Sequence, residues 1–372
     1  MTVMLLIGAS PVQKKPAIAA LSSMRSARHA APPVPVVARL SANENPLGAS
    51  PKAIAAVQDA VANMHRYADP NTTQLRAALA TQLGVTPDMV LCANGSDELI
   101  LLTALVYLNP GDEVVMANGT FISYYIRTQL MDAVQKRIPL VNGGHDLAAM
   151  ADAITENTKM VLICNPNNPT GVTNGAVEMQ RFLARVPDHV LVVVDEAYIE
   201  YATRTDFPDM IHEIRNGRKN ILVLRTFAKI YGLAGLRLGY AVADPDMLDY
   251  ISRARPVFDV NCLAMVAGVA ALTDSEHVLA SQAHANQSRA FFQQELTALG
   301  LTPFSSETNF IAVPIGGEGS DAQIVRAMAE RGIAINGLGA WGLPGVIRIS
   351  FGTPEENTLC VAALREVLQQ RQ

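Results

Sequence analysis

Residues 189–201 read HVLVVVDEAYIEY, and residues 220–229 read NILVLRTFAK. Each stretch opens with an unbroken apolar run and then delivers one ionisable group, Asp195 at the end of the first and Lys229 just beyond the second. A strand that is apolar on alternate and intervening positions alike is one covered on both faces, so these runs predict a buried sheet with helices on either side. The same texture recurs in DEVVMA at 112–117 and in KMVLICN at 159–165, with helix-like segments between most of the runs. Residues 90–108, VLCANGSDELILLTALVYL, read as a short strand, a polar turn and a buried helix. The repetition is that of an α/β fold with a mostly parallel central sheet.

Outward from this sheet the texture changes twice. SPKAIAAVQDAVANM at 50–64 has Ile54, Val57, Ala60, Val61 and Met64 at helical spacing, with Ser50 placed to cap and Pro51 at the first helical position. TTQLRAALATQLG at 72–84 predicts a second helix ended by Gly84. After about Pro256 a long helical region, Asn261 to Leu299, leads to two short strands, TNFIAVPI and GVIRISFG, and a last helix from Pro354. The expected organisation is an N-terminal arm at 1–40, a large domain at 41–256 and a small α+β domain at 257–372.

Composition narrows the function. Of 372 residues, 49% are apolar and 17% charged, so the chain has a large interior and is neither disordered nor a coiled coil. Lys and Arg number 29 against 34 Asp and Glu, for a net charge of −5, which argues against a nucleic-acid partner. No apolar run reaches membrane-spanning length. The first carboxylate is Glu44; the acid-free segment before it places MLLI ahead of Lys14 and Lys15, the reverse of secretory order, so an arm and a cytoplasmic location are expected over a leader. Four dispersed cysteines read as buried, reduced thiols, and the seven histidines show no metal-ligand spacing, so no metal is expected.

The chemistry gathers where apolar strands run out. LVVVD ends in Asp195, with Tyr198 three residues on; ILVLRTFAK ends in Thr226 and Lys229; VLICNPNNPTG ends in Asn165, Asn168 and a turn closed by Gly171. In open α/β sheets the carboxyl edge is where ligands bind. Taken singly each has a plain structural account, an Asp capping a helix or an ordinary Asn-Pro turn, but all three follow strands in succession. One Asp, one Lys and an Asn suit a ring with a basic nitrogen, an acidic hydroxyl and an aldehyde, which is pyridoxal 5′-phosphate. Its phosphate needs a cradle, which NGSDE provides: Gly95 and Ser96 turn the chain, and Ser96 and Asp97 open a helix with free N–H groups. Arg237, in LAGLRLGY, adds a fixed positive fork.

At this point the sequence resembles the pyridoxal-phosphate-dependent class I and II aminotransferases of fold type I, and is most similar to the branch that contains histidinol-phosphate aminotransferases. The matching pieces are SANENPLG, RYADP, ANGSDE, Thr120–Phe121, NPNNPTG, VVDEAYIEY, TFAKIYGLAGLRLGY and IRISFGTPEEN, from residue 41 to 357. The resemblance implies a Schiff base at Lys229, which also shuttles the proton. It implies Asp195 on the ring nitrogen, Asn168 and Tyr198 on the ring oxygen, and Phe121 stacked on the ring. Thr226, Arg237 and the Gly95–Ser96–Asp97 turn would hold the phosphate, with Tyr67 reaching the neighbouring site of a homodimer. Arg348 would grip the substrate's anionic group, and Asn45 would also meet the substrate. The implied activity is amino transfer from histidinol phosphate or an apolar or aromatic amino acid to a 2-oxo acid acceptor.

Three positions depart from the family's pattern. Ala228 stands where a phosphate-binding Ser is frequent, Leu47 where the histidinol-phosphate enzymes often carry Tyr, and Asn336 where they commonly carry Arg. Either the pocket has changed its substrate, or a nearby Arg, such as Arg255 or Arg127, substitutes. Two competing functions follow: a decarboxylase or elimination and cyclisation enzyme using the same cofactor, and a cofactor-free binding protein, against which Asp195, Asn168, Lys229 and Arg237 together argue. Trp341, which precedes the GLP turn near Arg348, is expected to serve packing of the small domain rather than to line the pocket.

Overall fold

The computed structural model describes residues 15–19, 21 and 34–370. A two-residue strand, β1 (Ala38–Arg39), precedes the central sheet of β2 (Val90–Ala93), β3 (Glu113–Asn118), β4 (Val134–Pro139), β5 (Thr158–Cys164), β6 (Leu191–Asp195), β7 (Ile221–Thr226) and β8 (Gly239–Val242). Their spatial order is β2-β8-β7-β6-β5-β3-β4, and β8 alone runs antiparallel to its neighbours. The strand side chains divide by alternation into two buried layers. Val115, Val161, Ile163, Val192, Val194 and Val223 face one, and Met116, Met160, Leu162, Val193, Leu222 and Leu224 face the other. That division is why the runs are apolar at every position.

The reversed strand matters for the site. Parallel strands bring their carboxyl ends to one edge, and β8 brings its start there instead, so Arg237, two residues ahead of β8, joins Asp195 and Lys229. Glycine makes this approach possible: a Cβ on Gly239 would lie 2.3 Å from the Ser96 nitrogen.

The smaller unit holds an antiparallel sheet of β9 (Phe310–Pro314), β11 (Asn336–Gly337) and β12 (Val346–Ser350), with β12 in the middle. Helices Ser275–Ala298, Ser320–Ala329 and Pro354–Gln369 accompany it. Two features differ from the expected boundaries. The end of the expected arm is part of this unit: β1 pairs in parallel with β10 (Ile333–Ala334), and Leu40 is buried. Two residues carry no periodicity, so only the pairing partner reveals them as a strand. Most of the arm lies outside the described residues. Helix Cys262–Leu272 packs on Pro51–Ala60 and Thr73–Leu83, elements of the large unit, although it follows position 256. Its sequence, CLAMVAGVAAL, has no charged side chain, so it must be covered, and Ala264, Ala267, Gly268 and Ala271 are buried against those helices.

Ser50 caps the helix from Pro51 as expected, and its hydroxyl donates to Asp274 at 2.6 Å. Asp274 in turn caps Ser275–Ala298. Among the described residues no single helix is long and apolar enough to cross a membrane; Cys262–Leu272 and Ser275–Ala298 would reach that length only as a pair bent by 80°.

Candidate active site

The carboxyl edge of the sheet opens into a cavity of about 210 Å³. Its walls include Ser96, Asp97, Phe121, Asn168, Asp195, Tyr198, Thr226, Lys229, Arg237 and Arg348, so the structure brings ten of the expected site residues together. Asp195 ends β6 and is buried. Its Oδ2 accepts the Tyr124 hydroxyl at 3.0 Å and its Oδ1 accepts the Ala197 N–H at 3.1 Å. Burial pushes the Asp195 carboxyl up to about 6, and these two donors hold it from rising further. An ionised carboxylate in such a place calls for a cationic partner.

Lys229 lies three residues past β7, in the turn before Ile230 enters the core. Its Nζ donates to the Ala42 carbonyl at 3.3 Å and the Asn43 carbonyl at 3.2 Å. Burial first, and the Arg348 charge second, pull the amine down to about 8. Only the unprotonated amine attacks a carbonyl carbon. Uptake of pyridoxal 5′-phosphate by the apoprotein should therefore quicken about tenfold per pH unit below the amine's value of about 8 and level off above it. Stopped-flow absorbance between pH 6 and 9 checks this; a rate independent of pH across that range would show that another step governs uptake.

The anion cradle is built from main chain. Gly95, at φ 93°, precedes the helix Ser96–Tyr107, whose first turn has no side-chain cap. Uncapped N–H groups and the helix dipole favour an anion there. Arg237 presses against this turn, since a Cβ on Gly95 would come 2.8 Å from its Nη2. The Asp97 carboxylate turns aside, accepting from Arg127 at 2.6 Å and from the Ser123 hydroxyl, so its contribution to the cradle is its backbone. Thr226 also lines this end, accepting the Ala228 N–H at 3.1 Å.

Arg348 stands on β12 at the opposite wall, 4% exposed. Its Nη1 donates to Asn168 Oδ1 at 2.5 Å and its Nη2 to the Ser41 carbonyl at 2.9 Å. Burial draws it down to about 10. Tyr198 accepts the Asn43 amide at 2.8 Å; burial raises its phenol above the usual range, and Arg348 opposes that rise.

Several expectations are corrected. Asn45 does not line the cavity; its Nδ2 donates to the Ile230 carbonyl at 2.9 Å and the Ser281 hydroxyl at 2.8 Å, and its Oδ1 accepts the Leu47 N–H. The amide is consumed in pinning this loop, and Asn43, at φ 52°, takes the position facing the cavity. Trp341 packs against Ala312, Leu338 and Val346 of the smaller unit, as expected, and also lines the cavity, 6.1 Å from Phe121. Arg127 and Arg255 are committed elsewhere, Arg127 to Asp97 and Arg255 to Asp259, and neither lines the cavity. Tyr67, expected to serve a neighbouring site and not this one, does not line the cavity; it is 84% exposed and stacked on Phe258 at 4.5 Å. Sequence reasoning missed Tyr124 and Cys164. Tyr124 sits one helical turn after Phe121, and that spacing was the available signal.

The chain is similar to known proteins of one family. The sequence profile of the class I and II aminotransferases matches residues 35–364. A histidinol-phosphate aminotransferase of Moorella thermoacetica is 42% identical over 89% of this chain and 86% of its own length. Histidinol-phosphate aminotransferase 2 of Pseudomonas fluorescens is 43% identical over 89% of both chains. Among solved structures, histidinol-phosphate aminotransferase of Sinorhizobium meliloti in complex with pyridoxal 5′-phosphate is similar at a TM-score of 0.89 and 30% identity, over 98% of this chain and 100% of that one.

Proposed function

The chain belongs to the class I and II aminotransferases, and from that footing we propose that it moves the amino group of histidinol phosphate, or of an apolar or aromatic amino acid, to a 2-oxo acid. The observation that carries the proposal is the convergence of Lys229, Asp195 and Arg348 on one cavity. The cavity's residues suit pyridoxal 5′-phosphate, because an uncapped helix start, an Arg that only glycine admits and a buried carboxylate meet there. When bound, this cofactor carries the amino group between donor and acceptor and draws off the electron pair left at the substrate carbon.

Each residue then has a task. Lys229 would hold the cofactor through Nζ, and its free amine would take the proton from the donor's carbon and keep it on Nζ for return. Asp195 holds a proton on the ring nitrogen by charge. Asn168 and Tyr198 would hydrogen-bond the ring oxygen, and Phe121 would cover the ring. Thr226, Arg237 and the Gly95–Ser96–Asp97 turn hold the phosphate. Arg348 orients the donor by its anion.

Spectra of the cofactor-loaded protein test the proposal. A histidinol phosphate or amino-acid donor should bleach the visible band and a 2-oxo acid should restore it. If no donor in such a panel bleaches it, the aminotransferase proposal falls. Carbon dioxide release without a 2-oxo product would point to decarboxylation instead.

The proposal includes a homodimer. Ile54, Val61 and Met64, the face read as apolar from the sequence, are exposed on the protomer, together with Tyr67, Val257 and Phe258. Such a patch is costly to leave in water, and its continuity with Tyr67 supports that residue reaching the phosphate of the neighbouring site. Met64→Asp is expected to turn a dimer into a monomer and to weaken cofactor retention by at least about tenfold. Light scattering and equilibrium dialysis measure the two effects. A monomeric, fully active unmodified protein would refute the dimer.

A further inference from the structure

Among the described residues three cationic side chains line the cavity: Lys229, Arg237 and Arg348. Lys229 and Arg237 serve the cofactor in the reading above, which leaves Arg348 alone for the donor's anion. Arg348 forms no ion pair among the described residues, and its buried Nε has no hydrogen-bond partner there. Its guanidinium lies 5.3 Å from the ring centres of both Trp341 and Phe310. An unpaired, buried cation with a free donor is a receptor for one anion.

The neighbouring strand decides how much charge that anion can carry. Asn336 on β11 is the cross-strand partner of Arg348 on β12. Directly paired residues of an antiparallel ladder present their side chains on one face, a few ångströms apart. The amide of Asn336 donates to the Ser41 carbonyl, the same oxygen that receives Arg348 Nη2. The side chain beside Arg348 on this face is thus neutral.

We propose that Asn336 sets the donor class: this site takes a donor whose anion is a singly charged carboxylate, with an aromatic or apolar side chain toward Trp341, in preference to a phosphate monoester. The inference rests on the aminotransferase reading and adds the donor's chemistry to it. A carboxylate is neutralised by one guanidinium, whose planar fork matches its two oxygens. A phosphate monoester brings ~1.5–2 negative charges at pH 7 and would leave part of that charge uncompensated in a buried place.

L-Histidine and histidinol phosphate form a matched pair, with the same imidazole side chain and amine, the carboxylate of one being replaced by a phosphate ester on a methylene in the other. With the cofactor-loaded protein, kcat/KM for L-histidine or L-phenylalanine should exceed that for histidinol phosphate by at least about tenfold. Asn336→Arg should shift the ratio toward histidinol phosphate by at least about tenfold, while Asn336→Gln leaves it in place. Histidinol phosphate used as well as or better than both amino acids by the unmodified protein would overturn the inference, as would an unmoved ratio in a folded Asn336→Arg protein. If Asn336→Arg does not fold, the donor ratio of the unmodified protein decides. If no donor reacts at all, the aminotransferase reading fails instead, which is a distinguishable result.

Discussion

Lys229→Ala is expected to lower kcat/KM for amino transfer by at least about 10⁴-fold, the scale of removing a group that is both covalent anchor and general base. Among the described residues no other amine lines the cavity, so none of them can take over either task. The cradle should survive the change, because Gly95, Ser96 and Arg237 hold their places without Lys229. Equilibrium dialysis should therefore still find bound pyridoxal 5′-phosphate, with an absorbance band no longer shifted by covalent attachment. Amino transfer above about 1% of the unmodified rate would remove Lys229 from the mechanism.

Asp195→Asn should cost about 10²–10³-fold in kcat, the usual price of deleting one preorganised charge at a reacting centre. The amide keeps the carboxylate's shape, so the loss isolates the charge. It also leaves the Tyr124 hydroxyl, 3.0 Å from Oδ2, without an anionic acceptor. Rates of the donor and acceptor half-reactions, followed separately by stopped flow, should both fall. A loss below about tenfold in each would mean that Asp195 does not keep the ring nitrogen protonated.

The strands that carry the chemistry were legible because β5, β6 and β7 are buried on both faces, and such strands have almost no freedom of composition. The edge strand β4 was not, because it is partly exposed and reads VQKRIP. The direction of β8 was equally hidden; GYAV has no feature that distinguishes parallel from antiparallel pairing. At the site, Lys229, Asp195 and Arg237 could be read from order along the chain and from resemblance. Asn43 and Asn45 could not be told apart, since both lie in SANENPLG and only long-range partners, Tyr198 for one and Ser281 for the other, separate their roles. The share of Trp341 in the cavity was hidden for the same reason: its neighbour Phe121 is 220 residues away in sequence.

The segment between β1 and Asn45 holds three functional side chains through its own carbonyls. Ser41 receives Arg348 and Asn336, and Ala42 and Asn43 receive Lys229. Carbonyl oxygens are the same in every residue, so these grips are blind to which side chains occupy 41 and 42. They are not blind to spacing. A lineage of such proteins can accumulate substitutions at those two positions at little cost, yet losing or gaining one residue between Arg39 and Asn43 would slide every acceptor out of reach at once. Selection there acts on length, and sequences that align with gaps across this short stretch would have to bind their substrates in some other way.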